Sequence, residues 1–167
     1  MQSSYKWNFR TELNEAPQVD AGVDQNINVG ALASLDAPVT DDGFPKDGTL
    51  TTLWTQLSGA GTVTFGNAGM EDTTASFSSS GVYVLELKAD DGGLAATDTV
   101  TVYVNSAPLV DAGTDRNIDF GKTVSLDGTV TDDGLPIPPG ALTTTWSQLS
   151  GTGIEISFEV AFTLNLL

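Results

Sequence analysis

Short carboxylate side chains beside glycine are the residues of this 167-residue chain whose types and spacing could do chemistry. Sixteen of its 22 acidic residues are Asp, and they cluster in turn-like sequences. The clearest groups are Asn14-Glu15, Asp41-Asp42-Gly43 and Asp90-Asp91-Gly92. Ca²⁺ is a hard cation that takes about six to eight oxygen ligands, and loop carboxylates supply such oxygens. These residues therefore predict calcium chemistry, with Ca²⁺ as the candidate cofactor.

The chain contains no Cys and no His, and its formal net charge is −16. The missing side chains exclude disulfides, Cys/His zinc sites and Ser-His-Asp triads. The negative charge repels phosphate backbones, which excludes nucleic acid as a partner. The apolar runs fall far below the roughly 18 residues of a membrane helix, so we expect no membrane insertion. We also expect no enzymatic activity.

The elements that must position the carboxylates are organised as an internal repeat. Residues 16–61 align with residues 107–153, with one extra residue in the second copy and 29 identities in 46 pairs. The period of about 91 residues exceeds the roughly 20–50 residues of solenoid repeats, so each copy should be a whole domain. We predict a lead-in strand in 1–13, a complete domain in 14–105 and a partial second copy in 106–167.

Within the first copy the segments are short, alternating and bounded by turns, which is typical of strands. The predicted strands are Ala31 to Val39, Thr49 to Leu57, Thr62 to Phe65, Thr73 to Phe77, Val82 to Ala89 and Ala95 to Val104. About seven strands in 90 residues indicate an all-β chain with an immunoglobulin-like β-sandwich fold. We expect Trp54 and Trp146 to pack in the cores, and Tyr83 to begin a buried strand.

The ordered set of motifs resembles PKD (polycystic kidney disease) domains of bacterial extracellular and cell-surface proteins. It comprises Ala-Pro-x-Val-Asp-Ala-Gly, Thr-Asp-Asp-Gly, a Trp strand, Gly-x-Tyr-x-Leu-x-Leu and Ala-Asp-Asp-Gly-Gly. The resemblance implies a non-catalytic extracellular module, and several relatives bind Ca²⁺ near the amino-terminal end of the domain. The chain departs from the family at Trp54-Thr55-Gln56-Leu57, where many members have Trp-x-Phe-Gly-Asp-Gly.

Strand parity indicates where the acidic groups of the first copy lie. The chain returns to its starting pole after the second strand and again between the last two strands. This places Asn14, Glu15, Asp41, Asp42, Asp90 and Asp91 at one pole. The four Asp carboxylates among these residues would repel one another strongly without a counter-ion.

The matching residues of the second copy form the second candidate metal site. They are Asn105, Ser106, Asp132 and Asp133. These residues fall at the junction between the two copies, where a bound ion could stiffen the short linker. The alternative interpretation is that each Asp-Asp-Gly is a turn with solvated carboxylates, because none of the clusters has the spacing of an EF-hand.

The two ends of the chain depart from the repeat. Tyr5, Trp7 and Phe9 alternate, which resembles the last strand of a preceding domain. No signal-peptide pattern is present although the resemblance implies secretion, so we expect a fragment of a longer protein. After Gly153 the second copy diverges. The alternatives are a truncated reading frame, completion by residues 5–11, or strand pairing with another chain through 106–167.

Two functions remain open from the sequence. The first is a spacer or adhesion module of a secreted or surface protein, stiffened by calcium, with other domains of the same parent or a surface protein as its partners. The second is a carbohydrate-binding module of a polysaccharide-degrading enzyme, which would present an outer-face aromatic such as Tyr103 or Phe44 to a polysaccharide.

Overall fold

The computed structural model describes residues 13–136, 142–149 and 159–160, and every regular element in this part of the chain is a strand. The strands of the first copy are β1 (Gln18–Val19), β2 (Gln25–Asn28), β3 (Ala33–Leu35), β4 (Val39–Thr40), β5 (Thr51–Ser58), β6 (Val63–Phe65), β7 (Thr73–Phe77), β8 (Gly81–Asp90) and β9 (Ala95–Asn105). Those of the second copy are β10 (Leu109–Asp111), β11 (Thr129–Thr131), β12 (Thr144–Thr145) and β13 (Glu159–Val160). Among the described residues there is no helix of the length and apolar character needed to span a membrane.

Two sheets form the sandwich of the first copy, which confirms the predicted immunoglobulin-like fold. One sheet has the order β2-β9-β8-β5 and the other has the order β3-β7-β6. Strand β8 pairs antiparallel with both β5 and β9, so that Leu87 lies opposite Trp54 and Tyr83 lies opposite Val102. Strand β2 joins the edge of β9 in parallel, with Gln25 opposite Val102. The second and the last strands of the first copy are therefore neighbours in one sheet.

The core lies between the two sheets and is built from the alternating side chains of β8 and β9. Trp54 is 2% exposed, lies 6.4 Å from the Phe65 ring across the sandwich and donates its indole N–H to the Glu71 carbonyl at 3.0 Å. Tyr83 is fully buried, and its hydroxyl donates to the Ser79 carbonyl at 2.8 Å. Both polar tips are satisfied, as buried aromatic residues require. The predicted core roles of Trp54 and Tyr83 are confirmed.

The prediction of one strand from Ala31 to Val39 was wrong. The structure has two short strands there, β3 and β4, and they pair in different sheets. Pro38 stands between them and has no N–H to donate to a ladder, while its carbonyl accepts from Asp20 at 3.3 Å. The Ala37 N–H turns instead to the Asp72 carboxylate at 3.3 Å. The chain therefore changes sheets at this proline.

The second copy repeats one pairing of the first in the same register. In the first copy, β1 pairs with β4 and Val19 lies opposite Val39. In the second, β10 pairs with β11 and Val110 lies opposite Val130. Further along the chain, β12 and β13 form a separate antiparallel pair. Most of residues 150–167 and all of residues 1–12, with the predictions made for them, lie outside the described part, and the predicted domain boundaries stay predictions.

Candidate functional site

The start of the first copy touches both of its acidic loops, so the structure brings three of the predicted groups together. The Asn14 side-chain amide donates to Asp91 Oδ2 at 3.1 Å. The next residue, Glu15, donates its backbone N–H to Asp42 Oδ2 at 3.0 Å. The segment before β1 is therefore fastened at one pole to the β4–β5 loop and the β8–β9 loop. We call Asn14, Glu15, Asp41, Asp42 and Asp91 the first polar cluster.

Asp91 is the buried carboxylate of this cluster, with 1% of its surface exposed. Its Oδ1 accepts the backbone N–H groups of Gly93 and Leu94, both at 2.7 Å. The bond from Leu94 is the largest cause that lowers the pKa of Asp91, and the bonds from Gly93 and Asn14 lower the pKa further. Burial and the neighbouring Asp90 oppose this change without reversing it. Asp91 therefore keeps a negative charge at neutral pH inside the protein.

Asp41 and Asp42 shape the other loop through bonds to the backbone two residues ahead. Asp41 Oδ2 accepts from the Gly43 N–H at 3.0 Å, and Asp42 Oδ1 accepts from the Phe44 N–H at 2.9 Å. Such Asx turns are the ordinary role of Asp before Gly. Both Asp42 oxygens are thus occupied, whereas only one Asp41 oxygen is.

Three side-chain oxygens of the predicted sites are buried without a hydrogen-bond partner. They are Oδ1 of Asn14, Oδ1 of Asp41 and Oδ1 of Asn105. A buried acceptor without a donor is costly, and native proteins normally supply a proton donor, a water or an ion. Two of the three belong to the first polar cluster, and Asn105 is the counterpart of Asn14 in the second copy. The donor chemistry of these residues therefore fits a hard cation, because only oxygens are offered.

Asp90 takes a different role from Asp91. Its Oδ2 accepts from the Lys88 ammonium at 2.9 Å, and its Oδ1 accepts from the Gly92 N–H at 3.0 Å. The bond from Lys88 is the first cause that lowers the pKa of Asp90. No three Asp or Glu side chains of the described ranges have the spacing of a metal site. A cation at the first polar cluster would therefore need amide or backbone oxygens beside its carboxylates.

The junction of the two copies repeats the arrangement around Glu15 and Asp42. Ser106 donates its backbone N–H at 2.9 Å and its hydroxyl at 2.8 Å to Asp133 Oδ2. Asp133 Oδ1 accepts from the Leu135 N–H at 3.1 Å, and Asp132 Oδ2 accepts from the Gly134 N–H at 3.3 Å. We call Asn105, Ser106, Asp132 and Asp133 the second polar cluster.

The pKa of Asp133 is lowered at this junction. Burial is the largest influence and raises the pKa, but hydrogen bonds from Ser106, Leu135 and the Ser80 side chain together outweigh it. Ser80 belongs to the turn before β8 of the first copy. The second polar cluster therefore includes a contact between the two copies.

Two glycines support the first polar cluster, and sequence reasoning missed this role. A Cβ on Gly48 would overlap the Asp91 carbonyl and lie 3.0 Å from Pro45. A Cβ on Gly93 would lie 3.1 Å from the Asn14 amide. In the sequence both glycines look like ordinary turn residues, so only the packing reveals their role.

The outer-face aromatic residues lie away from this pole or at its edge. Tyr103 is partly exposed in β9, and its backbone is paired between Asn26 of β2 and Val82 of β8. Phe44 is also partly exposed and follows Asp42 in the β4–β5 loop. Neither residue belongs to one of the two polar clusters. A role of either residue in binding a polysaccharide would therefore depend on the exposed part of its aromatic ring.

Comparison with known proteins agrees with the architecture. A family profile described as "K319L-like, PKD domain" matches residues 21–104. Chitinase A of Pseudoalteromonas piscicida is 28% identical over 141 residues, which cover 80% of this chain and 16% of that protein. The chain thus spans a small part of this relative.

Solved structures of PKD domains are also similar. The PKD domain of the KIAA 1837 protein is 23% identical, with a TM-score of 0.42, and the match covers 64% of this chain and all of that one. The PKD domain of human KIAA0319 is 20% identical, with a TM-score of 0.45, and the match covers 62% of this chain and 91% of that one.

Proposed function

The chain belongs to the K319L-like PKD domain family, and we propose that it serves as a non-catalytic spacer or adhesion module of an extracellular multidomain protein, stiffened by Ca²⁺ at its two polar clusters. Its partners in this role are the other domains of the parent protein and a surface protein. The absence of His and Cys from the sequence supports a role without catalysis.

The observation that carries the proposal is the set of buried oxygens without donors. Asn14 and Asp41 each hold one in the first polar cluster, and Asn105 holds one at the junction of the two copies. An ion that bound these oxygens with the ionised Asp91 would tie the segment before β1 to the β4–β5 and β8–β9 loops. At the junction, an ion would limit how far the second copy can bend against the first.

Calcium binding is tested by thermal unfolding of the complete chain with calcium and with a chelator. Binding to the folded state alone stabilises that state by mass action, and about 100 Kd of calcium contributes about 2.7 kcal/mol. We expect the melting temperature to rise by about 5 °C or more with millimolar (~1–5 mM) calcium. An unchanged melting curve would overturn the calcium part of the proposal.

A matched pair of substitutions assigns that effect to the first polar cluster. Asp41→Ala removes an oxygen that has no donor, together with the bond to Gly43. Asp20→Ala removes the same kind of turn bond, to Gly22 at 2.9 Å, but leaves the first polar cluster intact. Asp20→Ala should keep the calcium response, and Asp41→Ala should lose at least half of it. An equal response in both variants would place the ion elsewhere.

Contact with a polysaccharide is the second candidate function, and the similarity to a chitinase favours it. Tyr103 is partly exposed in β9, where a sugar ring could stack on it. Binding to insoluble chitin is the test, with Tyr103→Ala compared with Thr101→Ala on the same strand. A chain that stays in the supernatant would exclude chitin, and binding that survives Tyr103→Ala would exclude this residue as the platform.

A further inference from the structure

The junction of the two copies joins a serine turn of the first copy to an acidic loop of the second. The serine turn comprises residues 78–80, directly before β8, and the acidic loop comprises residues 132–135. The Ser80 side chain donates a hydrogen bond to the Asp133 carboxylate and helps to lower its pKa. Hydrogen bonds to an ionised carboxylate are among the stronger ones in proteins. The two domains are therefore linked by a charge-assisted hydrogen bond.

The other two serines of the turn are engaged within the first copy. Ser78 Oγ accepts from the Thr62 N–H at 2.9 Å, and the Ser79 carbonyl accepts from the Tyr83 hydroxyl at 2.8 Å. Tyr83 is fully buried, so these bonds hold the turn against the core of its own domain. Ser80 is therefore presented to the second copy from a well-supported turn.

The first copy carries the counterpart of the acidic loop at its amino-terminal end. The matched pairs are Glu15 with Ser106, Asp42 with Asp133, Gly43 with Gly134, and Phe44 with Leu135. In each set the aspartate accepts the backbone N–H groups of the first and last residues, at 3.0 and 2.9 Å in the first copy and at 2.9 and 3.1 Å in the second. The hydrogen-bonded arrangement is thus the same in both copies. We call Glu15, Asp42, Gly43 and Phe44 the amino-terminal face.

The matched residues differ in how much of their surface is exposed. At three of the four pairs, the residue of the second copy is the less exposed one. Leu135 is 8% exposed, whereas Phe44 is partly exposed. The pairs that contain Gly134 and Ser106 follow the same order. The amino-terminal face therefore offers, uncovered, the surface that the second copy uses at the junction.

The serine turn and the amino-terminal face lie at opposite ends of the first copy. Strand β8 begins directly after the turn and ends at Asp90, beside the first polar cluster. Its ten residues span about 33 Å. A domain with unlike docking surfaces at its two ends can join others head to tail. In this chain the second copy already occupies the serine turn, so another molecule of the same chain is not the partner that the amino-terminal face fits.

We propose that the amino-terminal face docks the serine turn of a preceding domain built like the first copy. Asp42 accepts the hydroxyl hydrogen bond that Asp133 accepts from Ser80, and Phe44 takes the buried place of Leu135. This docking rests on the proposed spacer function, because it gives the surface through which neighbouring domains of the parent protein meet. It does not depend on calcium, since a hydroxyl and a carboxylate make the contact.

A chain with one added repeat provides the partner. Residues 14–104 are duplicated in tandem within the complete chain, so that Val104 of the added copy is followed by Asn14, as it is naturally followed by Asn105. Phe44→Cys is introduced into the later of the two identical copies and labelled with a maleimide. The chain has no other cysteine. We expect labelling at least about fivefold slower in the extended chain than in the original chain, because a covered thiol reacts only when the contact opens.

A control cysteine at an exposed position separates docking from a general change in folding. Leu57 lies in β5 and is 55% exposed, so Leu57→Cys in the same copy should react at the same rate in both chains. An unchanged rate for Phe44→Cys would overturn the proposal. Equal slowing of Phe44→Cys and Leu57→Cys would also overturn it.

A pair of serine variants of the added copy tests the hydroxyl. Ser80→Ala should restore at least half of the lost labelling rate of Phe44→Cys, because it removes the donor to Asp42. Ser34→Ala, on an exposed position of β3, should leave the slow rate unchanged. Equal effects of the two variants, or no effect of Ser80→Ala, would contradict the assigned contact.

The junction that already exists tests the same contact in the original chain. Leu135→Cys should be labelled slowly, and Ser80→Ala should raise its labelling rate at least about twofold, because the hydrogen bond to Asp133 is lost. An unchanged rate would overturn the premise and the proposal with it. All labelling is done with a chelator present. The outcome is therefore separate from the calcium melting test, which alone decides the calcium part of the proposed function.

Discussion

The two copies of the repeat carry nearly the same motifs but do not form the same strands. Ala33 and Leu35 lie in β3 and are 0% and 1% exposed, whereas their counterparts Val124 and Leu126 belong to no strand and are 38% and 46% exposed. Strand β3 pairs with β7 in the first copy, and the described part of the second copy offers no such partner. Strand formation here depends on a neighbouring strand more than on local propensity.

What the second copy retains is the pairing that needs only nearby sequence. Strands β10 and β11 reproduce the register of β1 and β4, and both partners lie within the repeated motifs. The Asx turns at Asp132 and Asp133 also reproduce those at Asp41 and Asp42. In the described part of the second copy, local turns and short strand pairs therefore persist without the larger sheet.

The largest expected difference between the copies concerns the two equivalent leucines. Leu35→Ala should lower the free energy of unfolding by about 2–5 kcal/mol, because it leaves a cavity in a closed core. Leu126→Ala should cost less than about 1 kcal/mol, because its side chain is already half exposed. Urea denaturation followed by circular dichroism measures both. Equal costs would show that the second core is as closed as the first.

The amide exchange rates of the two copies should differ by about 100-fold. The corresponding free-energy difference is smaller than the largest one expected between the two leucine variants. The amides of β8 are bonded between two neighbouring strands, so they should exchange only when the sandwich opens. The amides of β10 and β11 belong to a two-stranded pair and should exchange faster. Mass spectrometry of peptic fragments from 81–90 and 109–131 would report this. Equal protection would mean that the second copy is self-sufficient.

The smallest expected effect is a difference in acid sensitivity. The folded-state pKa of Asp91 lies below its ordinary value of 3.8. Its contribution to stability is therefore complete above pH ~4 and is lost as the pH falls through the lowered pKa. Asp91→Asn should make the free energy of unfolding of the first copy depend less steeply on pH in this range.

The pKa of Asp133 is also lowered, but its side chain is more exposed, so the matching Asp133→Asn should change the acid response less. Urea midpoints at pH ~6 and pH ~3 provide the measurement for each variant. A larger change from Asp133→Asn than from Asp91→Asn would reverse this order.

The sequence predicted the parts of the fold that follow from strict alternation. The residues of β8 alternate without a break. Strand parity placed the segment 14–15 and the two acidic loops at one pole, and the structure joins them there through the Asn14–Asp91 and Glu15–Asp42 hydrogen bonds. Strand β2 was harder to find, because Gln25-Asn26-Ile27-Asn28 has a single apolar residue and is held by its parallel partner. A strand that is held by long-range pairing of this kind need not have an alternating apolar pattern in its own sequence.

The separation of Asp90 from Asp91 also needed the structure. Their adjacency in the sequence predicted a shared site, yet Asp90 contacts Lys88 two residues before it, on the same face of β8. Asp91 comes after the end of the strand and folds inward onto Gly93 and Leu94. The unpaired oxygens were beyond sequence reasoning, because they depend on which donors reach them.

The parallel pairing of β2 with β9 has a mechanical consequence. Tension between the two ends of the first copy pulls β2 from its amino end and β9 from its carboxyl end. Because the strands run in the same direction, this load acts along them as shear. The hydrogen bonds that β2 makes with β9 along Gln25–Asn28 must then break together and not one after another. A repeat built in this way resists stretching at the parallel β2–β9 pair of its larger sheet.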